Sequence, residues 1–374
     1  MMEEYLSTAF NEFKSNSFTN ITIVLGNESC DLDSAVSSLV YATFLDWQHK
    51  RNKGNDQREL FLSMLDVDRN DFALKTEVTY CLKQHSVSEG SLIFRDDVDF
   101  KSLINTKNLK IILVDHHILS EKYRFLSSFV TEIIDHRPIE RKEWNYKEDI
   151  VQNIDTVGSC TTLVCQRIKE LNGSDFLDKY TVCSKLLHSV IILDTVNFSV
   201  EVNKATPLDE EIVLFLENIL KLDDVHGRKT LLEDLLRARS DVTGLTAAQL
   251  LKKDLKIVGN ILVPSFPILV KDFLQRPQAI AAVTEALRNR NCTIALLLGM
   301  DLSAGLRRDG AIVSGGCEDS RGENLLKFLQ SWSSPPLQLT PNEEIAHLYF
   351  QQTNLSASRK QYMPALNTFI LNNK

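Results

Sequence analysis

Aspartate recurs in this chain directly after apolar runs. Gly26-Asn27-Glu28-Ser29-Cys30-Asp31-Leu32-Asp33-Ser34 sets two acids two residues apart behind the apolar stretch 21–25. Ile112-Leu113-Val114-Asp115-His116-His117 and Ile133-Ile134-Asp135-His136-Arg137-Pro138 each end an apolar run in Asp-His, and Ile191-Ile192-Leu193-Asp194 ends another in Asp-Thr. A single aspartate after a strand is common as a cap or turn residue. Four such segments in one chain point to a shared site. If their loops converge, Asp31, Asp33, Asp115 and Asp194 crowd together, and like charges in one cleft raise one another's pKa. Divalent cations relieve that repulsion. Oxygen-rich sites with one or two histidines favour Mn²⁺ or Mg²⁺ over structural zinc, which takes thiolates and imidazoles. A carboxylate shared by two ions about 3.5–4 Å apart is the arrangement of two-metal phosphoester hydrolysis, in which an activated water attacks phosphorus.

Such residues need a frame, and the N-terminal half offers one. Strand-like apolar runs at 21–25, 59–66, 91–94, 110–114 and 130–134 alternate with helical patterns at 34–49, 71–85, 159–171 and 179–193. Ser34 reads as the N-cap of the first of these helices. Fully apolar strands alternating with helices predict a buried, mostly parallel α/β sheet. Ligands of such sheets sit at the carboxyl ends of the strands, where the acids of interest lie. Residues 203–240 are charge-rich and helical and read as a hinge. Beyond 241 the texture is α+β: a helix, a hairpin over 256–270 interrupted by Pro264 and Pro267, a helix at 277–289, and strands at 292–299 and 311–314.

Composition bounds the function. The chain has 374 residues, 43% hydrophobic and 25% charged, which are globular values and suggest two domains. With 42 basic and 50 acidic residues the formal charge is −8, a poor balance for a nucleic-acid binder. Seven scattered cysteines without a CxxC pair read as reduced thiols. The start carries two glutamates and no arginine, so neither a secretory signal nor a mitochondrial presequence is expected. No apolar run approaches the roughly 18–20 residues of a membrane span. A cytoplasmic location is expected, with no membrane and no nucleic-acid partner.

In their order, these segments resemble the DHH phosphoesterase superfamily, in the branch with a DHHA2-type second domain. That branch holds family II inorganic pyrophosphatases, the yeast-type cytosolic exopolyphosphatase and the prune proteins. GNESCDLDSAVSSLVYATF, LVDHHILS, IIDHRPIE and ILDTVNFS look most like prune signatures, those of an insect member in particular. The resemblance is very specific over 21–210 and looser beyond 240. It implies a DHH catalytic domain at 1–205, a helical linker at 206–240 and a smaller DHHA2 substrate domain at 241–374, with the active site in the cleft between them. By order and spacing the literal Asp115-His116-His117 is the second motif, and Asp135-His136-Arg137 is the third, with arginine replacing the family's second histidine.

Carried over by position, the resemblance implies that Asp31 and Asp115 hold a first Mn²⁺ or Mg²⁺ ion. Asp33, Asp115, His136 and Asp194 would hold a second, with Asp115 bridging. Asn27 stands where pyrophosphatases have a ligating histidine and is expected to face substrate. Arg137 keeps phosphate recognition, since a permanently charged guanidinium suits bidentate phosphate contact. Asp115 and Arg137 are thus the expected catalytic residues. Of His116 and His117, one would point with the metals and one into packing; His116 is taken as the substrate contact. From the second domain, Lys256 of the Lys252-Lys253-Asp254-Leu255-Lys256 segment and Arg308 of Leu306-Arg307-Arg308 are expected to hold phosphate, with Ser320-Arg321 a further candidate. The pyrophosphatase-type Ser-Arg-Lys run is not assigned. The expected activity is release of terminal phosphate from short-chain polyphosphate. Cyclic-nucleotide phosphodiester cleavage at the same site is the alternative. From another class comes a regulatory protein-binding module with a nucleoside diphosphate kinase partner.

Overall fold

The computed structural model describes residues 2–53, 59–140, 144, 146–222, 225–301, 305–315 and 320–372. They form two compact units, divided between Arg239 and Ser240.

The first unit is built on six strands: β1 (Asn20–Leu25), β2 (Glu59–Leu65), β3 (Ile93–Phe94), β4 (Asn108–Val114), β5 (Val130–Asp135) and β6 (Val151–Ile154). All pair in parallel, in the order β3-β2-β1-β4-β5-β6. β1 is buried beyond Asn20 and β4 from Ile111 onward, as expected where helices cover both faces. The chain runs outward from β1 in one direction through β2 and β3, then returns to β4 on the other side. The crevice at the carboxyl ends of β1 and β4 is therefore the topological switch point, the usual ligand position in such sheets.

Helix Leu32–Lys53 follows β1 and is buried on all sides through its first half, including Ala35, Val36, Leu39, Val40, Tyr41 and Phe44. Helices Cys160–Glu170 and Thr181–Asp194 pack against it. Helix Pro207–Leu220 lies on the first unit's side of the division, and Ile212, Val213 and Leu216 join that core.

Some local expectations shift. The helix expected over 71–85 is a 3₁₀ turn, Arg69–Leu74, then an α-helix, Thr76–Gln84, divided at Lys75. The helix expected from Ser34 begins at Leu32. β6 escapes the sequence reading because its residues are exposed or half-buried and carry no apolar run.

The second unit is a mixed sheet: β7 (Leu255–Val258), β8 (Ile261–Phe266), β9 (Ile294–Asp301), β10 (Arg307–Ser314), β11 (Leu339–Pro341) and β12 (Phe350–Gln352). The order is β11-β12-β10-β9-β8-β7, with only β8 and β9 parallel. The expected hairpin is β7–β8, turning at Gly259, whose φ is +56°. Pro264 sits inside β8, and the pairing to β9 skips 263 and 264, as a missing N–H requires. The C-terminal helix Arg359–Asn372 packs Ala365 and Leu366 into this unit's core.

Six described cysteines are free and buried; Cys317 lies outside the described residues. Among the described residues no helix is long and apolar enough to cross a membrane.

Candidate active site

Three strand ends and one helix end deliver the acids. After β1 the chain passes Gly26, where a Cβ would meet Ser34 Oγ at 2.5 Å, so glycine alone lets the strand leave so close to the helix. The Ser34 hydroxyl accepts the Asn27 N–H at 2.7 Å. The helix cap is Asp31, whose Oδ1 accepts the Ser34 N–H at 3.1 Å. Asp33 thus falls in the first helical turn, two residues inside the crevice.

β4 delivers Asp115, which is 1% exposed and held in left-handed backbone with φ 60°. Such a conformation is uncommon outside glycine and concentrates at functional sites. β5 delivers Asp135, His136 and Arg137. Asp194 closes the helix Thr181–Asp194, followed by Val196, Asn197 and Phe198, all with φ of 50–60°. Three successive left-handed residues, one of them β-branched, fix the chain sharply where Asp194 leaves its helix.

Asp33, Asp115 and His136 converge: each offers a ligand atom, and all lie within 4.8 Å of one another. His136 Nε2 is 3.3 Å from Asp115 Oδ1 and 3.8 Å from Asp33 Oδ2. Its Nδ1 lies 3.1 Å from the Val157 carbonyl, which can only accept. The proton therefore sits on Nδ1, and Nε2 is turned to the acids, the orientation seen in metal-binding histidines. Asp33 is pinned at the amino end of helix Cys160–Glu170. Its Oδ1 accepts from Ser159 Oγ at 3.0 Å and the Thr161 N–H at 2.9 Å, and its Oδ2 from the Cys160 N–H at 2.8 Å. Asp115 Oδ2 accepts from Asn27 Nδ2 at 2.6 Å. Asp194 Oδ2 is buried and accepts no hydrogen bond, whereas the buried Asp115 Oδ1 has two cationic neighbours, Arg137 Nη1 at 3.1 Å and His136 Nε2 at 3.3 Å.

The electrostatics follow from this crowding. Burial, then repulsion by Asp33, pushes Asp115 up to about 7, against the pull of His136. Burial opposes charging of His136, but its bond to Asp115 and the charges of Asp33 and Asp115 outweigh that and raise it to about 9. Burial and Asp33 push Asp194 well above the usual carboxylate range, with Lys204 and Ser159 opposing. Asp194 and Asp33 thus feel each other strongly, though Asp194 and Asp31 stand outside the three-residue cluster. Asp31 contributes its negative charge to both Asp115 and Asp194.

Other expected residues take different roles. Asn27 is not free to meet substrate. Its amide nitrogen serves Asp115, and its oxygen accepts the Ser29 N–H at 2.9 Å, Ser29 Oγ at 2.6 Å and the Cys30 N–H at 3.2 Å. It positions Asp115. Arg137 Nη1 donates to the Asp115 carbonyl and lies 3.1 Å from Asp115 Oδ1 and 3.3 Å from Asp135 Oδ1. Its side chain is 46% exposed, so it rims the acid cluster. His116 is bound through Nδ1 to the Val114 carbonyl at 2.9 Å, and burial lowers its pKa. His117 is fully engaged, Nδ1 with Asp135 and Nε2 accepting the Glu140 N–H at 3.0 Å.

A supporting layer escaped the sequence reading. Asp209, 0% exposed, accepts from the Gly158 N–H (2.8 Å), Thr162 Oγ1 (2.6 Å), the Thr206 N–H (2.7 Å) and Thr206 Oγ1 (2.8 Å). It thereby holds the segment 157–162, which orients His136 and pins Asp33. Gly158 is closely bound there: a Cβ would meet Thr195 Cγ2 at 2.7 Å and Asp209 Oδ2 at 2.9 Å.

In the second unit, Lys256 is exposed on β7, Arg308 lies on β10, and Arg321 opens the helix Arg321–Ser331. A literal Ser358-Arg359-Lys360 run opens the C-terminal helix. Arg359 binds the Asp254 and Val263 carbonyls at 2.8 and 3.3 Å and pairs with the Asp254 carboxylate, two residues from Lys256. The run and the lysine segment therefore share one end of this sheet.

Comparison with known proteins agrees with this architecture. Residues 21–206 match the DHH family N-terminal domain and residues 233–369 the DHHA2 domain. The chain is 34% identical over 352 residues to exopolyphosphatase PRUNE1 of Mus musculus, covering 92% of this chain and 74% of that protein. It is 34% identical over 355 residues to the Homo sapiens protein of the same name, with the same coverage. A putative exopolyphosphatase of Schizosaccharomyces pombe is 29% identical over 262 residues, covering 68% of this chain and 64% of that one. Among solved structures, a putative family II inorganic pyrophosphatase of Methanococcus jannaschii overlaps with a TM-score of 0.47 at 19% identity, covering 93% of this chain and 99% of that one. The chain belongs to the DHH phosphoesterase family, as a hydrolase of the DHHA2-bearing branch that includes the PRUNE1 exopolyphosphatases.

Proposed function

We propose that this hydrolase releases terminal phosphate from short-chain polyphosphates and that it works with divalent cations, Mn²⁺ or Mg²⁺, held by the acid cluster. The observation that carries the reading is the convergence of Asp33, Asp115 and His136, whose ligand atoms all lie within 4.8 Å of one another. Several acids crowded into one buried cleft cannot ionise together without compensation. Two oxygens and one imidazole nitrogen suit Mn²⁺ or Mg²⁺ better than a structural zinc. Asp33, Asp115 and His136 would hold one ion, with Asp194 and its unpaired Oδ2 beside them. Asp31 with Asp115 would hold a second. Bound cations would supply Lewis acidity to a phosphoryl oxygen and lower the pKa of a water.

The chain's own residues do the rest. Val157 and the Asp33 donors keep the ligands oriented before any ion arrives, so little ordering is left for binding. Arg137 sets a permanent cation at the exposed rim, suited to an incoming phosphoryl oxygen and to the charge that builds there. Lys256, exposed on β7, is a further candidate cation for a phosphate chain. The names of the relatives, exopolyphosphatases, support the substrate class.

The test is phosphate release from tri- and tetraphosphate, beside cAMP and cGMP, with Mn²⁺ or Mg²⁺, for wild type, Asp115→Asn and Asp115→Ala. Release from the linear substrates that both variants abolish is expected. Equal release by wild type and variants would put the site elsewhere; cleavage of the cyclic nucleotides alone would replace the substrate class.

A further inference from the structure

Lys75 sits where the chain breaks between the 3₁₀ turn Arg69–Leu74 and the helix Thr76–Gln84. Its N–H donates to the Phe72 carbonyl at 2.9 Å, and its carbonyl accepts the Thr79 N–H at 2.9 Å, so its backbone is fixed on both sides. The side chain reaches to the loop between β1 and helix Leu32–Lys53, where Nζ donates to the Ser29 carbonyl. Asn27 holds Ser29 from the other side: the Ser29 N–H and hydroxyl both donate to Asn27 Oδ1. Asn27 Nδ2 in turn donates to the Asp115 carbonyl at 3.1 Å and to its carboxylate at 2.6 Å. Three links thus run in series from Lys75 to a proposed cation ligand. Ser29 itself is exposed, and a second tie on this loop joins Glu28 to Lys122 at 2.6 Å.

The same turn of chain carries another set of contacts. Thr76 Oγ1 donates to the Arg239 carbonyl at 3.0 Å, and the buried Glu77 faces Arg239 Nε at 3.7 Å. Arg239 ends the first unit. Its helix, Val225–Ser240, is seated in that unit by Leu235 and Ala238, both buried. Ser240 and Asp241 separate Arg239 from Val242, whose carbonyl accepts from Arg276 Nη2 of the second unit at 3.1 Å. A joint this short passes a displacement to the element end beside it, as hinges do.

We propose that Lys75 is a positioning residue of the cation site, and that residues 75–77 couple this site to the chain's boundary between units. The inference rests on the cation reading above. It gives a use to the break at Lys75, where helical periodicity alone would run on.

The sign of the effect is distinctive. Cys30 feels the charges of both Lys75 and Asp31, so Lys75 stands beside an acidic loop. Removing a positive charge there favours a cation by Coulomb's law. Loosening the loop disfavours it, because ligands lose affinity when their outer support goes.

Lys75→Met, Lys75→Arg and Thr76→Val are compared with wild type in the full chain. Hydrogen exchange over 26–34, followed by mass spectrometry in EDTA, reads the loop independently of any ion. Exchange should rise about threefold or more in Lys75→Met and Thr76→Val and stay near wild type in Lys75→Arg, with β1 and β4 unchanged. Calorimetry with Mn²⁺ should show binding weakened about threefold or more in the first two variants and recovered in Lys75→Arg. Unaltered loop exchange, or Mn²⁺ binding equal to wild type or tighter, in folded Lys75→Met would overturn the positioning role. Effects in Lys75→Met that Thr76→Val does not share would overturn the coupling to the boundary. Failure of wild type to bind Mn²⁺ would overturn the cation reading and the positioning role with it, an outcome distinct from wild-type binding that the variants leave unmoved.

Discussion

Asp209 touches none of the proposed cation ligands, yet two of them depend on it. Its carboxylate accepts four hydrogen bonds in a fully buried position, three on Oδ2 and one on Oδ1. Asp209→Asn can keep its amide oxygen where Oδ2 stands and still serve Gly158 and Thr206. The amide nitrogen then faces Thr162 Oγ1, which must turn to accept. What is lost is the charge, which makes such bonds about twice as strong as neutral ones, so about 1–2 kcal/mol of stability should go. Asp209→Ala leaves the buried Gly158 N–H and its neighbours unsatisfied at about 1–3 kcal/mol per buried donor, beyond the void itself, so about 3–5 kcal/mol should go. Urea unfolding followed by circular dichroism measures both. The sharper readout is Mn²⁺ affinity. Loosening 157–162 frees the Val157 carbonyl that orients His136 and the donors that pin Asp33, and losing such outer support typically costs 10–100-fold in metal affinity. Folded Asp209→Asn should therefore bind Mn²⁺ about tenfold more weakly. Wild-type affinity in that variant, with the stability loss present, would refute the link between this layer and the ligands.

Gly158→Ala drives a methyl to 2.7 Å from Thr195 Cγ2 and should cost about 1–3 kcal/mol by overpacking, read as a lower urea midpoint with unchanged slope. Asn27→Ala removes the amide from Asp115 Oδ2 and should weaken Mn²⁺ binding about tenfold; unchanged affinity would deny it a positioning role. His136, raised to about 9, is largely protonated in the cation-free protein at pH 8, so Mn²⁺ must displace its proton. Calorimetry in buffers of different ionisation heats should show proton release at pH 8 that shrinks above pH 9, and a clearly smaller release in His136→Asn. The same raised pKa favours the cation-free fold below the unfolded value of about 6.5, and that contribution is lost as pH rises through 9. Arg359→Met, which frees the Asp254 carboxylate and two carbonyls, should lower stability by about 1–3 kcal/mol without changing Mn²⁺ affinity.

What could be read from the sequence was what local pattern carries. Apolar strands followed by acids were visible because a parallel sheet buries whole strands and leaves its polar residues at their carboxyl ends. The start of helix Leu32–Lys53 was misread by two residues: Ser34 has the cap chemistry, but Asp31 reaches its N–H, and the hydroxyl serves Asn27 instead. Asn27 read as a substrate contact because the sequence does not reveal that three donors of its own loop consume the oxygen. Asp209 was hidden for a different reason. It stands in a charge-rich helical stretch that reads as a hinge, and the approach of Gly158, 51 residues earlier in the chain, and of Thr162 buries it. Ser358-Arg359-Lys360 was legible throughout and was missed beside the basic segments at 306–308 and 320–321.

The central claim is that Asp33, Asp115 and His136 hold a divalent cation. Crystals grown with Mn²⁺ and measured at a wavelength where manganese scatters anomalously locate the ion without assumptions about activity. A difference peak within bonding distance of Asp33, Asp115 and His136, absent in Asp115→Asn, is the predicted result. A fully occupied manganese peak elsewhere, with these three side chains unliganded, would contradict it.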